Sequence, residues 1–399
     1  MIERIRMLAQ AAAESMTEWR RTFHAHPELS FREVETTARI KGLLEEMGYS
    51  GLLVGTAGIP TGLVAELDTG RPGPCIALRA DIDALPIAEQ GNPPYRSKNE
   101  GVMHACGHDS HIAMLLGAAR ILKALEGELS GRVRFIFQPS EETPKNSGAR
   151  AMIEEGVLDG VDAIAGLHTW GTIPAGVVGI HAGPFMAASD EWSVTIRGKG
   201  GHGALPHLST DPIVAAGALI GALQAIVSRE TNPLDAAVVT CGHVEAGNSV
   251  NIIPDRAFLE GIVRTFDPGI RKEIEGRMAC MADRICEAMG CRAEFGYRNV
   301  LPATVNDEAS TKRAAGLARD LFGPDRVKEI PPTMGSEDMS LYLERVPGTF
   351  LFLGTRNETK GIGQGQHHPE FDVDDDILPD GSALLAALAW DFLGKNPKD

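Results

Sequence analysis

The chain has 399 residues, more than one domain of about 150 residues needs, and its 43% hydrophobic content supports a large core. A formal net charge of −16 disfavours nucleic acid, whose binding needs a concentrated basic surface. Residues Met1–Ala13 carry Glu3, Arg4 and Arg6, unlike a signal peptide, and no stretch reads as the roughly 20 apolar residues of a membrane span. The six cysteines (Cys75, Cys106, Cys241, Cys280, Cys286 and Cys291) form no C-x-x-C pair, so reduced thiols and a cytoplasmic, soluble protein are expected.

Apolar spacing predicts helices over 3–22 and 33–47, the second closing at Gly48. Strands Thr61–Leu67 and Cys75–Ala80 follow, and a helix starts after Gly107 and ends near Gly127. Then come strand Arg132–Phe137, helix Ala149–Glu155 and strand Ala163–His168. This alternation predicts an α/β domain, a mixed sheet with helices on both faces. Beyond Gly183–Ser189 the pattern changes to strand Glu191–Ile196, helix Pro212–Arg229, strands Ala236–Glu245 and Arg256–Thr265, helix Pro268–Met289 and strand Arg292–Tyr297. That β-α-β-β-α-β order predicts an inserted ferredoxin-like α+β domain. Helix Glu308–Leu321, strand Thr349–Leu353 and helix Leu378–Leu393 complete the first domain, giving expected boundaries of 1–184, 185–299 and 300–399.

The densest chemistry is M-H-A-C-G-H-D-S-H, Met103 to His111. Cys106 and His108 flank a glycine in a turn before a helix, so both can converge on one point, and thiolate and imidazole are good metal ligands. Alone, they could equally be a Cys/His nucleophile pair. Glu141 and Glu142 follow a buried strand, where adjacent carboxylates can divide metal binding from proton transfer. His168 ends another strand, and His367 and His368 precede Pro369, which stiffens their loop. Asp81 and Asp83 end a further strand, placed to orient a ligating histidine or polarise water. Ligand-type residues on four separate strand ends argue for metal better than any pair does.

The ordered segments L-R-A-D-I-D-A-L-P, M-H-A-C-G-H-D, Q-P-S-E-E, L-H-T-W, G-K-G-G-H-G-A-L-P-H, M-G-S-E-D and H-H-P-E-F-D resemble the aminoacylase/carboxypeptidase family of two-metal peptidases. The resemblance is to its hippurate-hydrolase and auxin-conjugate-hydrolase branch and covers residues 20–385. It implies a zinc-peptidase-like catalytic domain with a dimerisation or lid insertion. Two divalent ions (manganese, zinc, cobalt or nickel) would be held by Cys106, His108, Glu142, His168 and His367, with the Cys106 sulfur shared. His367 is preferred over His368 because the family's ligand lies two residues before the proline. The resemblance makes Glu141 the catalytic base and Asp81 a supporting acid. It gives His202 an oxyanion role in a neighbouring subunit's site, and Asn251 and Arg264 the substrate carboxylate. Thr143 to Asn146 replace the usual glycine-rich stretch, and Trp170 to Thr172 also depart from the pattern, which bears on substrate identity.

The expected activity is therefore hydrolysis of an N-acetyl, N-benzoyl or indoleacetyl amino acid by a homodimer. The rival readings are an aminohydrolase of an aromatic amine, a dipeptidase or carboxypeptidase, a cysteine-nucleophile hydrolase and a catalytically silent binding protein.

Overall fold

The structure, a computed structural model, describes residues 1–56 and 59–394. The chain opens with helices α1 (Ile2–Ala11), α2 (Ala13–Ala25) and α3 (Val34–Glu46). Strands β1 (Leu53–Thr56), β2 (Ile59–Asp68) and β3 (Cys75–Asp81) precede α4 (His108–Ala124). Next come β4 (Arg132–Gln138), α5 (Gly148–Glu154), β5 (Ala163–Pro174), β6 (Val178–Ile180) and β7 (Gly183–Met186). The middle of the chain forms β8 (Ala188–Arg197), β9 (Gly201–His202), α6 (Pro212–Ala225), β10 (Ala237–Ala246), β11 (Ile252–Ile253), β12 (Arg256–Thr265), α7 (Pro268–Ala288) and β13 (Arg292–Leu301). The last part holds β14 (Thr304–Asn306), α8 (Glu308–Phe322), β15 (Val327–Glu329), α9 (Met339–Leu343), β16 (Gly348–Arg356) and α10 (Leu378–Leu393).

Two compact units result: one of Met1–Gly183, Val305–Pro331 and the chain from Asp338 onward, the other of Pro184–Thr304 and Pro332–Glu337. The first contains a mixed eight-stranded sheet of order β1-β2-β4-β3-β5-β16-β6-β15. Strands β3, β4, β5 and β16 run parallel, while β2 and β6 are antiparallel to their inner neighbours. Helices α4 and α10 pack together on β3 and β5, and α5 and α9 pack together on β2, β4, β5 and β16, so β5 is covered by both pairs. Helix α4 is buried nearly all round, as a helix of small and apolar residues inside a core must be.

The second unit holds an antiparallel sheet of order β10-β12-β8-β13, with α6 and α7 packed on it. Its six long elements, β8, α6, β10, β12, α7 and β13, follow the β-α-β-β-α-β order read from the sequence, with the two-residue strands β9 and β11 added between them. Trp192, Leu259, Leu219 and Met278 lie in its core. Pro212–Glu230 is one helical stretch long and apolar enough to cross a membrane by length and composition, contrary to the reading that none comes near. One face of it, with Ala215, Ala216, Leu219 and Leu223, is buried, and α6 packs against β8, β10 and β12.

Other readings also change in detail. The single helix expected over 3–22 breaks at Ala12 and its second half runs to Ala25. The strand read as ending at His168 continues to Pro174. Strands β1, β6 and β15, each of three or four residues, are too short to show alternation and went unread.

Two packing features generate tests. The Trp192 indole N–H reaches across Gly261 to donate to the Thr240 carbonyl at 3.1 Å, and a Cβ at Gly261 would lie 1.8 Å from that carbonyl oxygen and 2.9 Å from the indole. Gly261→Ala is expected to destabilise the protein by about 1–3 kcal/mol through overpacking, read as a lower urea midpoint; an unchanged midpoint contradicts this.

The second feature ties α2 to the first turn of α4. Fully buried Arg20 donates to Asp109 at 2.8 Å and to Asp372 at 2.6 Å, and His24 bonds Asp109 at 2.8 Å and Glu89 at 3.3 Å. Burial opposes charge on His24, but Asp109 and Glu89 outweigh it and raise the ring to about 9. Because the folded value exceeds the unfolded one, this stabilisation is complete below about pH 6.5 and lost as pH rises through 9. Unfolding free energy should fall across that window by up to about 3 kcal/mol from this group, and His24→Gln should flatten the fall. Equal slopes in both proteins would refute the assignment.

Candidate metal centre

The sheet register lines up the chemistry. Asp81 pairs with Gln138 and Arg79 with Gly166, so β3 and β4 end level with the middle of β5. Asp81 and Asp83, Glu141 and Glu142, and His168 therefore come from three adjacent parallel strands at one edge, where ligands bind in open α/β sheets. Gly107 has φ +89°, and a Cβ there would sit 2.4 Å from the Thr169 hydroxyl. Only glycine lets Cys106 and His108 turn together beside β5. His367, at φ +64°, donates its backbone N–H to the Ala105 carbonyl at 2.8 Å, which brings its loop to Cys106.

Cys106, His108 and His168 form one group whose ligand atoms all lie within 4.8 Å of one another, and Cys106, Glu142 and His367 form a second. Cys106 belongs to both. Its sulfur is 3.4 Å from His168 Nε2, and Glu142 Oε1 lies 3.5 Å from His367 Nε2 and 3.9 Å from His108 Nε2. Glu141 forms a further group with His108 and Glu142. Of the paired histidines it is thus His367 that joins the cluster; His368 Nδ1 instead accepts the Glu370 backbone N–H at 3.1 Å.

Hydrogen bonds behind the cluster orient the rings. His108 Nδ1 faces the Asp83 carbonyl at 2.9 Å and His168 Nδ1 faces the Thr169 carbonyl at 2.6 Å. A carbonyl only accepts, so each Nδ1 carries a proton and each Nε2 is turned to the cluster. His108 Nε2 and Glu142 Oε1 are buried and have no hydrogen-bond partner among the described residues. Orphaned ligand atoms beside a thiol and two more imidazoles are a donor set that fits divalent transition metal.

The electrostatics show the same demand for positive charge. Burial, then Glu142, Glu141 and Asp81, push the Cys106 thiol well above its usual range. Burial disfavours charge on His108, yet Asp81, Asp83 and Glu142 overcome it and push the ring up to about 10. A cation among these groups would reverse both effects, since metal binding displaces the protons of thiol and imidazolium.

Asp81 lies behind the candidate ligands. Its carboxylate accepts from Arg79 at 2.8 Å and bonds His111 Nδ1 at 2.5 Å, with His108 Nε2 at 3.7 Å. The Thr169 backbone N–H donates to His111 Nε2 at 2.9 Å, so His111 must donate from Nδ1 to Asp81. Arg79 continues to Asp338 at 2.7 Å, which also accepts from Ser147 at 2.6 Å. Sequence reasoning gave no role to His111, Arg79 or Asp338. The i, i+3 spacing of His108 and His111 was a usable signal, because it sets both on one face of α4.

His202, Asn251 and Arg264 belong to the second unit. His202 pairs with Ile252 through β9 and β11, and its Nδ1 accepts the Ala204 N–H at 3.1 Å. His202 and Asn251 line one hollow of about 900 Å³ with Gly200, Gly201 and Arg256. Arg264 does not line it; half-buried on β12, it bonds the Val263 carbonyl at 3.3 Å.

Known proteins resemble this chain along most of its length. The sequence profile of peptidase family M20/M25/M40 matches residues 77–391. An N-acetyl-L-cysteine deacetylase of Bacillus subtilis (strain 168) is 44% identical over 379 residues, 94% of this chain and 88% of that protein. IAA-amino acid hydrolase ILR1-like 2 of Arabidopsis thaliana is 40% identical over 396 residues, 97% of this chain and 88% of its own length. The solved structure of the Bacillus subtilis YXEP protein, a dinuclear metal binding peptidase from the M20 family, superposes with a TM-score of 0.85 at 40% identity, over 96% of this chain and 99% of that one. With the profile spanning most of the sequence and these relatives aligned almost end to end, the chain belongs to peptidase family M20/M25/M40.

Proposed function

We propose that the chain is a cytoplasmic, metal-dependent amidohydrolase that cleaves N-acyl amino acids to a carboxylic acid and a free amino acid. The observation that carries this is the pair of ligand triads sharing Cys106, with Glu141 beside them. The relatives named for deacetylation of N-acetylcysteine and hydrolysis of an amino-acid conjugate support the bond type. In this reading two divalent ions (manganese, zinc, cobalt or nickel) are held by Cys106, His108, Glu142, His168 and His367.

Bound ions would lower the pKa of water from about 15.7 to about 7, supplying hydroxide near neutral pH. Glu141 accepts the water proton and returns it to the leaving amine. Asp81 and His111 keep the imidazoles in register, and Asp83 holds His108 with its Nε2 forward. His202 donates to the developing oxyanion, a contribution of about 3–4 kcal/mol for such a donor. Asn251 and Arg264 hold the substrate carboxylate.

A homodimer is part of the proposal. Edge strand β10 leaves Val244 exposed, and Ile213 and Val214 on α6 are exposed as well, apolar surface of the kind symmetric association covers. His202 would then act in the partner's site.

Protein purified without chelator should approach two divalent ions per chain, and Cys106→Ser should lower that content. Glu141→Gln should keep the metal and lose about 100- to 10,000-fold in turnover. Release of free amino acid from N-acetyl, N-benzoyl and indoleacetyl substrates is the assay, and full activity in metal-free protein would sink the reading. A mixture of inactive His202→Ala and inactive Glu141→Gln chains should regain activity in heterodimers. One site then has both groups, so the ceiling is about a quarter of wild type under random exchange. No recovery despite proven subunit exchange would place His202 in its own chain's site or outside catalysis.

A further inference from the structure

Ser140 stands immediately before the glutamate pair and has φ +52°, a left-handed conformation that a residue with a Cβ disfavours. It is completely buried, so something in the fold must hold it there. The backbone N–H of Ser140 donates to Glu33 Oε1 at 2.9 Å, and the other oxygen of Glu33 accepts from the Thr61 hydroxyl at 2.6 Å. Glu33 is itself fully buried with no ion-pair partner among the described residues, and burial, then Asp83, raises its carboxyl to about 7. A carboxylate buried without a cation is expensive, which asks for a purpose.

Helix capping is not that purpose. Glu33 occupies the N-cap position of α3, yet its side chain makes no cap hydrogen bond. Glu28 does that work, accepting from the backbone N–H groups of Glu35 at 3.2 Å and Thr36 at 2.8 Å. The same N-terminal segment also grips the far side of the glutamate pair. Ser30 donates to Asp83 at 2.7 Å, Asp83 accepts the Glu142 backbone N–H at 3.0 Å, and Thr143 donates to Ser30 at 2.8 Å. Ser140 in turn donates to the Asn146 carbonyl at 2.9 Å, so the unusual 143–146 stretch is held to the same clasp.

We propose that Glu33 is a positioning residue: its carboxylate locks the reversed backbone at Ser140 and thereby sets where Glu141 and Glu142 point. This role rests on the functional reading above, which gives those two glutamates their work.

The test uses three variants, each read by kcat and KM for the best N-acyl amino acid and by absorption titration with Co²⁺. Glu33→Gln keeps the shape but replaces the carboxylate acceptor at Ser140 with a weaker amide oxygen and turns an N–H towards the Thr61 hydroxyl, which must then accept; kcat should fall about tenfold at nearly constant KM, and Co²⁺ binding should weaken about tenfold. Thr61→Val removes the other partner of Glu33; it should lower the melting temperature yet leave kcat and Co²⁺ affinity within about twofold. Glu33→Gln/Ser140→Gly makes the left-handed backbone easy and should recover both readings to within about threefold of wild type. A purely structural role predicts the reverse, because glycine adds flexibility to an already weakened protein. If Glu33→Gln does not fold, Glu33→Asp, which withdraws the charged group by one methylene, should give the same losses and the same rescue. Wild-type readings in Glu33→Gln, parallel losses in Thr61→Val, or no rescue by glycine would each overturn the proposal. Wild type that binds Co²⁺ but cleaves no N-acyl amino acid would refute the functional reading while the cobalt readings still judge Glu33.

Discussion

Too many acids in too little buried space is the constraint on which this structure depends. Asp81, Asp83 and Glu141 are buried, Glu142 is half-buried and the Cys106 thiol sits among them. Arg79 offers one fixed cation, already shared between Asp81 and Asp338. The remaining imbalance appears in the raised proton affinity of His108 and Cys106. Parallel strands make the crowding geometrically available, because β3 and β4 end level with the middle of β5 and bring their acids to its His168. A divalent cation would settle the charge without requiring any of these groups to move to solvent.

Holding the acids still is a task shared along the whole first unit. Asp83 alone contacts Ser30, His108 and the Glu142 backbone, three segments far apart in sequence. Asp109, next to His108, is gripped by Arg20 and His24 from α2, so the candidate ligand His108 is held from a helix near the start of the chain. Such buried networks are strong when every member is satisfied and costly when one is removed. The N-terminal helices are therefore part of the site's mechanics, although they supply none of the candidate ligands.

The parts of this arrangement that the sequence displayed are those written in local pattern. Runs such as Arg132–Phe137 and the glycine before His108 announce a strand and a turn by their own composition, and ligand-type residues at their ends stand out. The second unit was legible for the same reason, since its strands are long and its helices open at Asp211-Pro212 and Asp267-Pro268, with both aspartates capping. What stayed hidden depends on distant partners. Nothing in Ser140 foretells φ +52°, and nothing in Glu33 says that its carboxylate turns inward while Glu28 caps α3. His111 looked like one more histidine until Asp81 and Thr169 fixed its tautomer. The break at Ala12 falls within a run of three alanines, which offers no contrast to mark it.

Cys106 also gives the centre a chemical liability. Sulfur at the meeting point of both triads is oxidisable in a way that the oxygen and nitrogen donors around it are not. A sulfenic acid is ordinarily rescued by a second thiol that closes a disulfide. Within the first unit the other thiol, Cys75, opens β3, about 20 Å of strand rise from Asp81 at that strand's other end. An oxidised Cys106 that met no second thiol would pass to the irreversible acids. Burial and the surrounding carboxylates hold the free Cys106 thiol well above its usual range, so little reactive thiolate is present; a bound cation would displace that proton but would occupy the lone pairs that a peroxide seeks.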